Sequence, residues 1–147
     1  MSEKKPDAWA SFFMSFNRIH GGMEDAMKEA GHPPLEIYDI LWILEKAPDA
    51  HGVRFNELGK RTFLSRSNIT RVAERLEEQG LIERNRCPND RRGVYAAITP
   101  AGKKLRQEMW KTYGKLIKER FTDKISEPEQ LSLVKILTKV WDPETDE

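Results

Sequence analysis

Residues 64–80 read LSRSNITRVAERLEEQG, and residues 88–93 read PNDRRG. In the first stretch, apolar residues recur every three or four positions, which is typical of a helix with one buried face. Those apolar residues are Ile69, Val72, Ala73 and Leu76. Ser65 has the side chain of an N-cap, and Gly80 is suited to the position just past a helix end. The stretch therefore predicts a helix that begins after Ser65 and stops at Gly80.

The remaining positions of this helix carry side chains that suit contact with DNA. Arginine pairs bidentately with guanine, asparagine pairs with adenine, and serine or threonine reaches a base or a phosphate. The free N–H groups at a helix start also attract phosphate. An ordinary solvated helix explains the arginines, but it explains poorly why serine, asparagine and threonine cluster at the leading end. The predicted DNA-binding residues of this helix are Ser65, Arg66, Ser67, Asn68, Thr70, Arg71 and Arg75.

A charged hairpin is predicted directly after this helix. Leu81 begins one strand, residues 94–98 form the return strand, and residues 88–93 form the turn between them. Asp90 and Gly93 are expected to give the turn its shape, Asp90 by pairing with a nearby arginine.

Two arginines, Arg91 and Arg92, are predicted at the tip of the hairpin and are assigned to DNA binding. A compact arginine-bearing loop can enter the minor groove, where the negative potential attracts arginine. A charged hairpin without a partner is the alternative, and it loses weight because the hairpin follows a plausible reading helix. With a short helix from Phe55 to about Phe63, these elements predict a winged helix-turn-helix.

The flanking sequence predicts further amphipathic helices. One runs from Ala8 to Ala30, with Asp7 as its N-cap and Gly31 just past its end. A second runs from about Leu35 to Lys46. Thr99 and Pro100 have the N-cap and first-turn residues of a long helix. The sequence SEPE at 126–129 has the spacing of a capping box that opens a last helix.

The predicted fold class is therefore mainly α with a small β-wing and about six helices. We expect one domain over residues 1–147, with a winged helix-turn-helix at 33–99. The helices within 7–31 and 100–141 carry long apolar stripes and are assigned to dimerisation.

The composition suits a soluble helical protein, with 33% charged and 38% hydrophobic residues. The net charge is only +1, but residues 54–92 hold 10 Lys/Arg against 6 Asp/Glu, and residues 93–122 hold 7 against 2. This local excess, rather than the total, governs attraction to phosphate. The N-terminus lacks the apolar region of a signal peptide, and the single cysteine fits a reducing compartment, so a cytoplasmic location is expected.

Two motifs together resemble those of the MarR (multiple antibiotic resistance regulator) family. The sequences DRR at 90–92 and ITPAG at 98–102 look like its wing-to-helix signature. The sequence LSRSNITRV at 64–72, followed by RL at 75–76 and GLI at 80–82, is similar to its recognition helix and exit.

The resemblance extends from about Trp9 to Trp141 and implies a homodimeric repressor or activator that binds a pseudo-palindromic double-stranded DNA operator. It implies that the first, fifth and sixth helices form the dimerisation region. Members often bind small phenolic or other aromatic acids between that region and the winged domain, and they then lose affinity for DNA. No cofactor is implied beyond such an effector.

Aromatic residues and a basic pair are the candidates for an effector site. His20 beside Arg18 could meet a carboxylate. The alternative is that most of these residues belong to the core or to a dimer seam. The candidates are Phe12, Phe16, Arg18, His20, Tyr38, Trp42, Trp110 and Tyr113.

Other functions find less support in the sequence. Cys87 lies beside arginines, which favour a thiolate, but no second cysteine can resolve an oxidised form, so redox sensing stays an alternative. The histidines and Cys87 lack the spacing of a metal site, and no catalytic motif is present. A winged helix can also serve as a protein-interaction module, which a salt-sensitive gel shift would distinguish from DNA binding.

Overall fold

The computed structural model describes residues 5–62, 64, 66–87 and 90–142, and at 66, 87 and 90–92 it describes the backbone alone. The helices are α1 (Ala8–Glu29), α2 (Leu35–Glu45), α3 (Phe55–Thr62), α4 (Arg66–Glu78), α5 (Pro100–Arg120) and α6 (Glu127–Val140). The strands are β1 (Val53–Arg54), β2 (Ile82–Cys87) and β3 (Asp90–Ile98), which form an antiparallel sheet in the order β1-β3-β2. The predicted class, mainly α with a small β-wing, is confirmed. No helix in the described part of the chain is both long and apolar enough to span a membrane.

Local hydrogen bonds set the helix ends at the predicted residues. The Asp7 carboxylate accepts a hydrogen bond from the backbone N–H of Ala10 at 2.9 Å, which caps α1. Gly31 follows the other end with a φ of 82°, a left-handed conformation that favours glycine. At the start of α6, Ser126 and Glu129 exchange the two hydrogen bonds of a capping box.

The chain forms two compact units. One holds residues 26–112, and the other combines the residues up to Asp25 with those from Tyr113 onward. The first unit contains the hydrophobic core, where α2, α3, α4 and the sheet meet. Its most deeply buried side chains include Ile40, Leu41, Leu58, Ile69, Leu76 and Ile82.

Strand β1 is an element that the sequence analysis did not predict. Val53 pairs with Ala96 and Arg54 pairs with Tyr95, so a two-residue strand extends the hairpin into a three-stranded sheet. Gly52 makes this approach possible: it has a φ of 99°, and a Cβ atom there would overlap the carbonyl group of Ala96. A strand this short has no periodicity that a sequence can reveal.

The predicted turn at 88–93 is wrong in its extent. Strand β3 already begins at Asp90, so Arg91, Arg92 and Gly93 lie in a strand rather than in a loop. Cys87 pairs with Asp90 while Arg86 pairs with Val94, and the register therefore shifts between these two pairs. The additional residues on β3 produce an irregular, bulge-like ladder. Charged residues are compatible with a bulge and with a turn, so the sequence alone does not distinguish the two.

Candidate nucleic-acid interface

Helix α4 divides into the two faces that its sequence predicts. The four residues of the apolar stripe, Ile69, Val72, Ala73 and Leu76, are buried, each with at most 8% of its surface exposed. The polar side chains of the opposite and leading faces, Ser67, Asn68, Thr70, Arg71 and Arg75, are exposed. The core therefore fixes the rotation of α4 about its axis, and this rotation determines which side chains a ligand can reach.

The exposed face of α4 also presents a carboxylate that the sequence analysis missed. Ser67, Thr70, Arg71 and Glu74 line one shallow depression. Their positions i, i+3, i+4 and i+7 are the signal that could have found Glu74, because residues with this spacing share a helix face. Arg71 donates a hydrogen bond to the side-chain oxygen of Asn68 at 3.3 Å, which holds these two side chains together.

A second depression lies between α3 and α4. It is lined by polar Asn56, Lys60 and Thr70 and by apolar Phe55, Gly59, Leu64 and Ile69. Lys60 is exposed beside the leading half of α4. Neither Asn56 nor Lys60 was a predicted site residue, although Leu58 is the buried residue of α3 and both lie at other positions of the same helix.

Arg84 on β2 connects the sheet to α4. Its Nε lies 2.7 Å from Oε2 of Glu77, and its Nη2 lies 3.8 Å from Oε1 of Glu74. Its guanidinium group also sits over the Phe55 ring at 5.2 Å, a cation–π geometry. A single side chain of β2 thus contacts both α3 and α4.

A further polar cluster lies where β1 meets β3. Arg54 donates a hydrogen bond from Nε to the Tyr95 hydroxyl at 2.9 Å, and the His51 ring packs edge-on against Tyr95 at 4.9 Å. Arg54 and His51 are exposed. The cluster fixes a positively charged group on the wing sheet.

Several predicted DNA-binding residues have side chains that lie outside the described part of the structure. Ser65 lies outside the described residues. Arg66 opens α4, and Arg91 and Arg92 lie in β3 with Asp90, but the side chains of these four residues lie outside the description. Gly93, predicted to shape the turn, is a buried residue of β3.

The candidate effector residues divide between the two units. In the unit of residues 26–112, the Tyr38 and Trp110 rings stack with centroids 6.0 Å apart. Tyr38 is only 6% exposed, whereas Trp42 and Trp110 are 45% and 47% exposed. Burial raises the pKa of the Tyr38 hydroxyl, against the effect of a hydrogen bond from Arg106, which also forms a salt bridge with Glu45.

The other candidates lie in the unit that includes the start of α1 and the region from Tyr113 onward. Phe12 and Phe16 are exposed, as is Arg18, and the His20 ring stacks on Phe16 at 5.2 Å. Nε2 of His20 lies 4.0 Å from a carboxylate oxygen of Glu24. This carboxylate disfavours the predicted capture of an anion at His20, because it would repel the anion.

Comparison with known proteins agrees with this architecture. The model of the MarR family matches residues 35–93. The HTH-type transcriptional repressor MdtR of Bacillus subtilis is 30% identical over 134 residues, which cover 90% of this chain and 83% of that protein. The chain belongs to the MarR family. It is thus a winged-helix transcriptional regulator, and the resemblance inferred from the sequence motifs is confirmed.

Solved structures of MarR-family proteins share the fold of this chain. AbsC from Streptomyces coelicolor superposes with a TM-score of 0.81 at 22% identity, with 95% of each chain covered. Sco3205 from the same organism, solved in complex with DNA, gives 0.80 at 23% identity, with 94% of this chain and 89% of that chain covered.

Small molecules bind or regulate two further structural neighbours. CouR from Rhodococcus jostii was solved with p-coumaroyl-CoA bound. It superposes on this chain with a TM-score of 0.76 at 22% identity, with 96% of this chain and 97% of that chain covered. BpsR from Bordetella bronchiseptica, whose DNA binding is regulated by 6-hydroxynicotinic acid, gives 0.78 at 19% identity, covering 97% and 98%.

Proposed function

We propose that this MarR-family regulator is a homodimeric repressor that reads a pseudo-palindromic DNA operator with α4 and contacts the flanking minor groove with its wing. The observation that carries the proposal is the exposed face of α4, where Ser67, Asn68, Thr70 and Arg71 stand opposite a fully buried stripe. This combination presents donors and acceptors at the end of a helix that would enter the major groove. The structural neighbour solved with DNA supports this mode of action.

The homodimer is supported by apolar surface at the two ends of the chain. Trp9, Phe12, Phe13 and Phe16 on α1 are 50–72% exposed. On α6, Leu131, Val134, Ile136 and Val140 are 56–82% exposed, and none of the residues of this helix is buried. Apolar patches of this kind mark interfaces, and a second copy of the chain would cover both of them.

A two-fold dimer would place two reading helices on one side of the DNA. For such proteins the half-sites are centred one helical turn apart, about 34–36 Å. Relatives such as MdtR occur in bacteria, whose DNA lies in the cytoplasm. The same proposal therefore implies a cytoplasmic location.

We further propose that a small aromatic acid acts as the effector and lowers affinity for DNA. The 6-hydroxynicotinic acid that regulates BpsR is a small aromatic acid, and the p-coumaroyl-CoA bound to CouR carries an aromatic acyl group, and both support an aromatic effector. In this chain, the exposed indoles of Trp42 and Trp110 offer aromatic contacts. A ligand that binds better to a DNA-incompetent conformation lowers DNA affinity by its differential affinity for that conformation.

The central test is selection of binding sites from a random pool of DNA duplexes, followed by gel shifts at several salt concentrations. We expect enrichment of an inverted repeat and a binding constant that falls steeply with salt, since phosphate contacts release counterions. Enrichment of no sequence, with weak binding alike to all duplexes, would contradict the proposal and favour a protein-interaction module.

A further inference from the structure

The carboxylate of Glu74 lies within the face of α4 that is proposed to read DNA. At 3.6 residues per turn, Ser67, Arg71 and Glu74 all point within about 30° of the direction opposite the buried stripe. Glu74 is thus aimed outward more directly than Thr70, and both share a surface depression with Ser67 and Arg71. The Glu74 carboxylate would therefore contact any ligand that occupies this depression.

An acidic side chain here is unfavourable for a surface that only attracts phosphate. Its negative charge repels the DNA backbone and weakens binding to every sequence. In the major groove, a carboxylate pairs best with the exocyclic amino group of cytosine, because the amino group of adenine lies beside the acceptor N7, which would repel the carboxylate. The three other residues that line the depression offer two hydroxyl groups, which donate or accept, and a guanidinium group, which only donates, so Glu74 adds a charged group that only accepts.

Arg84 holds the Glu74 side chain in place. Nη2 of Arg84 lies 3.8 Å from Oε1 of Glu74, an ion-pair distance that leaves the carboxylate able to accept further hydrogen bonds. Arg84 is itself fixed by Glu77 at 2.7 Å and by the ring of Phe55. The Glu74 side chain is 59% exposed, so a base edge can reach it.

We propose that Glu74 is a specificity-determining residue that selects a cytosine in each operator half-site, with Arg84 as its positioning residue. The inference rests on the proposed DNA-binding function and adds a base preference to it. The preference arises because the carboxylate accepts from the N4 amino group of cytosine, whereas the oxygen of thymine at the same place would face it as a second acceptor.

The test is parallel site selection with the wild-type protein, Glu74→Gln and the control Glu78→Gln. Glutamine pairs bidentately with adenine, so Glu74→Gln should change the preferred base from cytosine to adenine at one position of each half-site. The relative affinity for those two bases should change by about 5- to 150-fold. Glu78 is exposed on the same outward side of α4, but it lies one turn further from the leading end and does not line the depression. The control removes the same charge and should strengthen binding to all sequences without changing the preferred bases.

A second variant tests the positioning role. Arg84→Met keeps much of the packing on Phe55 but removes the cation, so discrimination at the Glu74 base pair should fall while preferences elsewhere in the half-site persist. An unchanged base preference in Glu74→Gln would overturn the inference, as would a uniform gain in affinity equal to that of Glu78→Gln. If the wild-type protein selects no sequence at all, the proposed DNA-binding function fails first, and that result is distinguishable from either of these.

Discussion

The side chain of Thr99 joins the end of α4 to the start of α5. Its hydroxyl group donates a hydrogen bond to the carbonyl oxygen of Gly80 at 2.7 Å, and the hydroxyl oxygen accepts one from the backbone N–H of Gly102 at 3.1 Å. Gly102 allows this close packing, because a Cβ atom there would overlap the carbonyl oxygen of Leu81. The turn that follows α4 and the N-cap of α5 therefore depend on one another.

We expect Thr99→Val to destabilise the protein by about 1–2 kcal/mol, because it removes an N-cap and leaves the Gly80 carbonyl without its donor. Thr99→Ser retains both hydrogen bonds and should lose much less. Urea denaturation at equal protein concentrations measures the difference, since the stability of a dimer depends on concentration. Equal stability of the valine variant and the wild type would show that solvent replaces both bonds without loss.

The exposed apolar residues of α6 predict an obligate dimer. Sedimentation of the wild type at micromolar concentration should give twice the mass of the chain. Leu131→Glu with Val134→Glu should give a monomer that keeps its helical content, because these side chains are 68% and 64% exposed within one chain. Ser132→Glu adds a negative charge to the same helix at about 100° from Leu131 and about 160° from Val134 around the helix axis, and it should remain dimeric. A monomeric wild type would refute the dimer.

Arg71 and Arg92 are expected to differ in the kind of contact they make. If Arg71 reads a base, Arg71→Ala should weaken operator binding by about 1–3 kcal/mol and relax specificity at one position. Lys46→Ala, which removes a charge at the end of α2, provides the comparison in gel shifts. Similar losses for Arg71→Ala on operator and random DNA would assign Arg71 to phosphate rather than to a base.

Arg92→Ala should instead weaken binding to many sequences and reduce the dependence of the binding constant on salt, since a minor-groove or phosphate contact is lost. The measurement is the slope of log affinity against log salt for operator and random duplexes. An unchanged affinity and slope would remove Arg92 from the interface.

The capping box of α6 predicts a pH dependence. Hydrogen bonds from the backbone N–H and side chain of Ser126 lower the pKa of Glu129 below its ordinary value of 4.5. A carboxyl group whose pKa is lowered on folding stabilises the fold above its unfolded pKa, and this contribution is lost as the pH falls through the folded pKa. NMR titration should show that Ser126→Ala raises the pKa of Glu129. An identical titration in the two proteins would mean that the Ser126 hydroxyl contributes nothing and that the backbone N–H alone lowers the pKa.

The effector hypothesis predicts a fluorescence response. Salicylate or a related phenolic acid at up to millimolar concentration should change tryptophan emission and weaken operator binding over the same range. Trp42→Phe and Trp110→Phe should each remove part of the signal, because both indoles are about half exposed. If neither emission nor operator binding changes, these acids are not effectors.

The sequence determined the helices and their faces. Caps such as Asp7, Thr99 and Ser126, and the stripe of α4, are visible in the sequence because their interactions join residues only three or four positions apart. The outward face of α4 followed from the same periodicity, so most of the candidate DNA-contact residues could be named before the structure was known. The prediction of two long apolar stripes for dimerisation rests on the same local pattern.

Only the tertiary structure decided how distant segments meet. Strand β1 exists because Arg54 pairs with Tyr95, 41 residues further along the chain. Arg84 reaches Glu74 and Glu77 because β2 folds back along α4, and this contact holds the Glu74 carboxylate on the exposed face of the helix. The start of β3 at Asp90 likewise depends on pairing with β2. Strand pairing and contacts between side chains on separate elements depend on the packing of the whole core, and no short window of sequence contains that information.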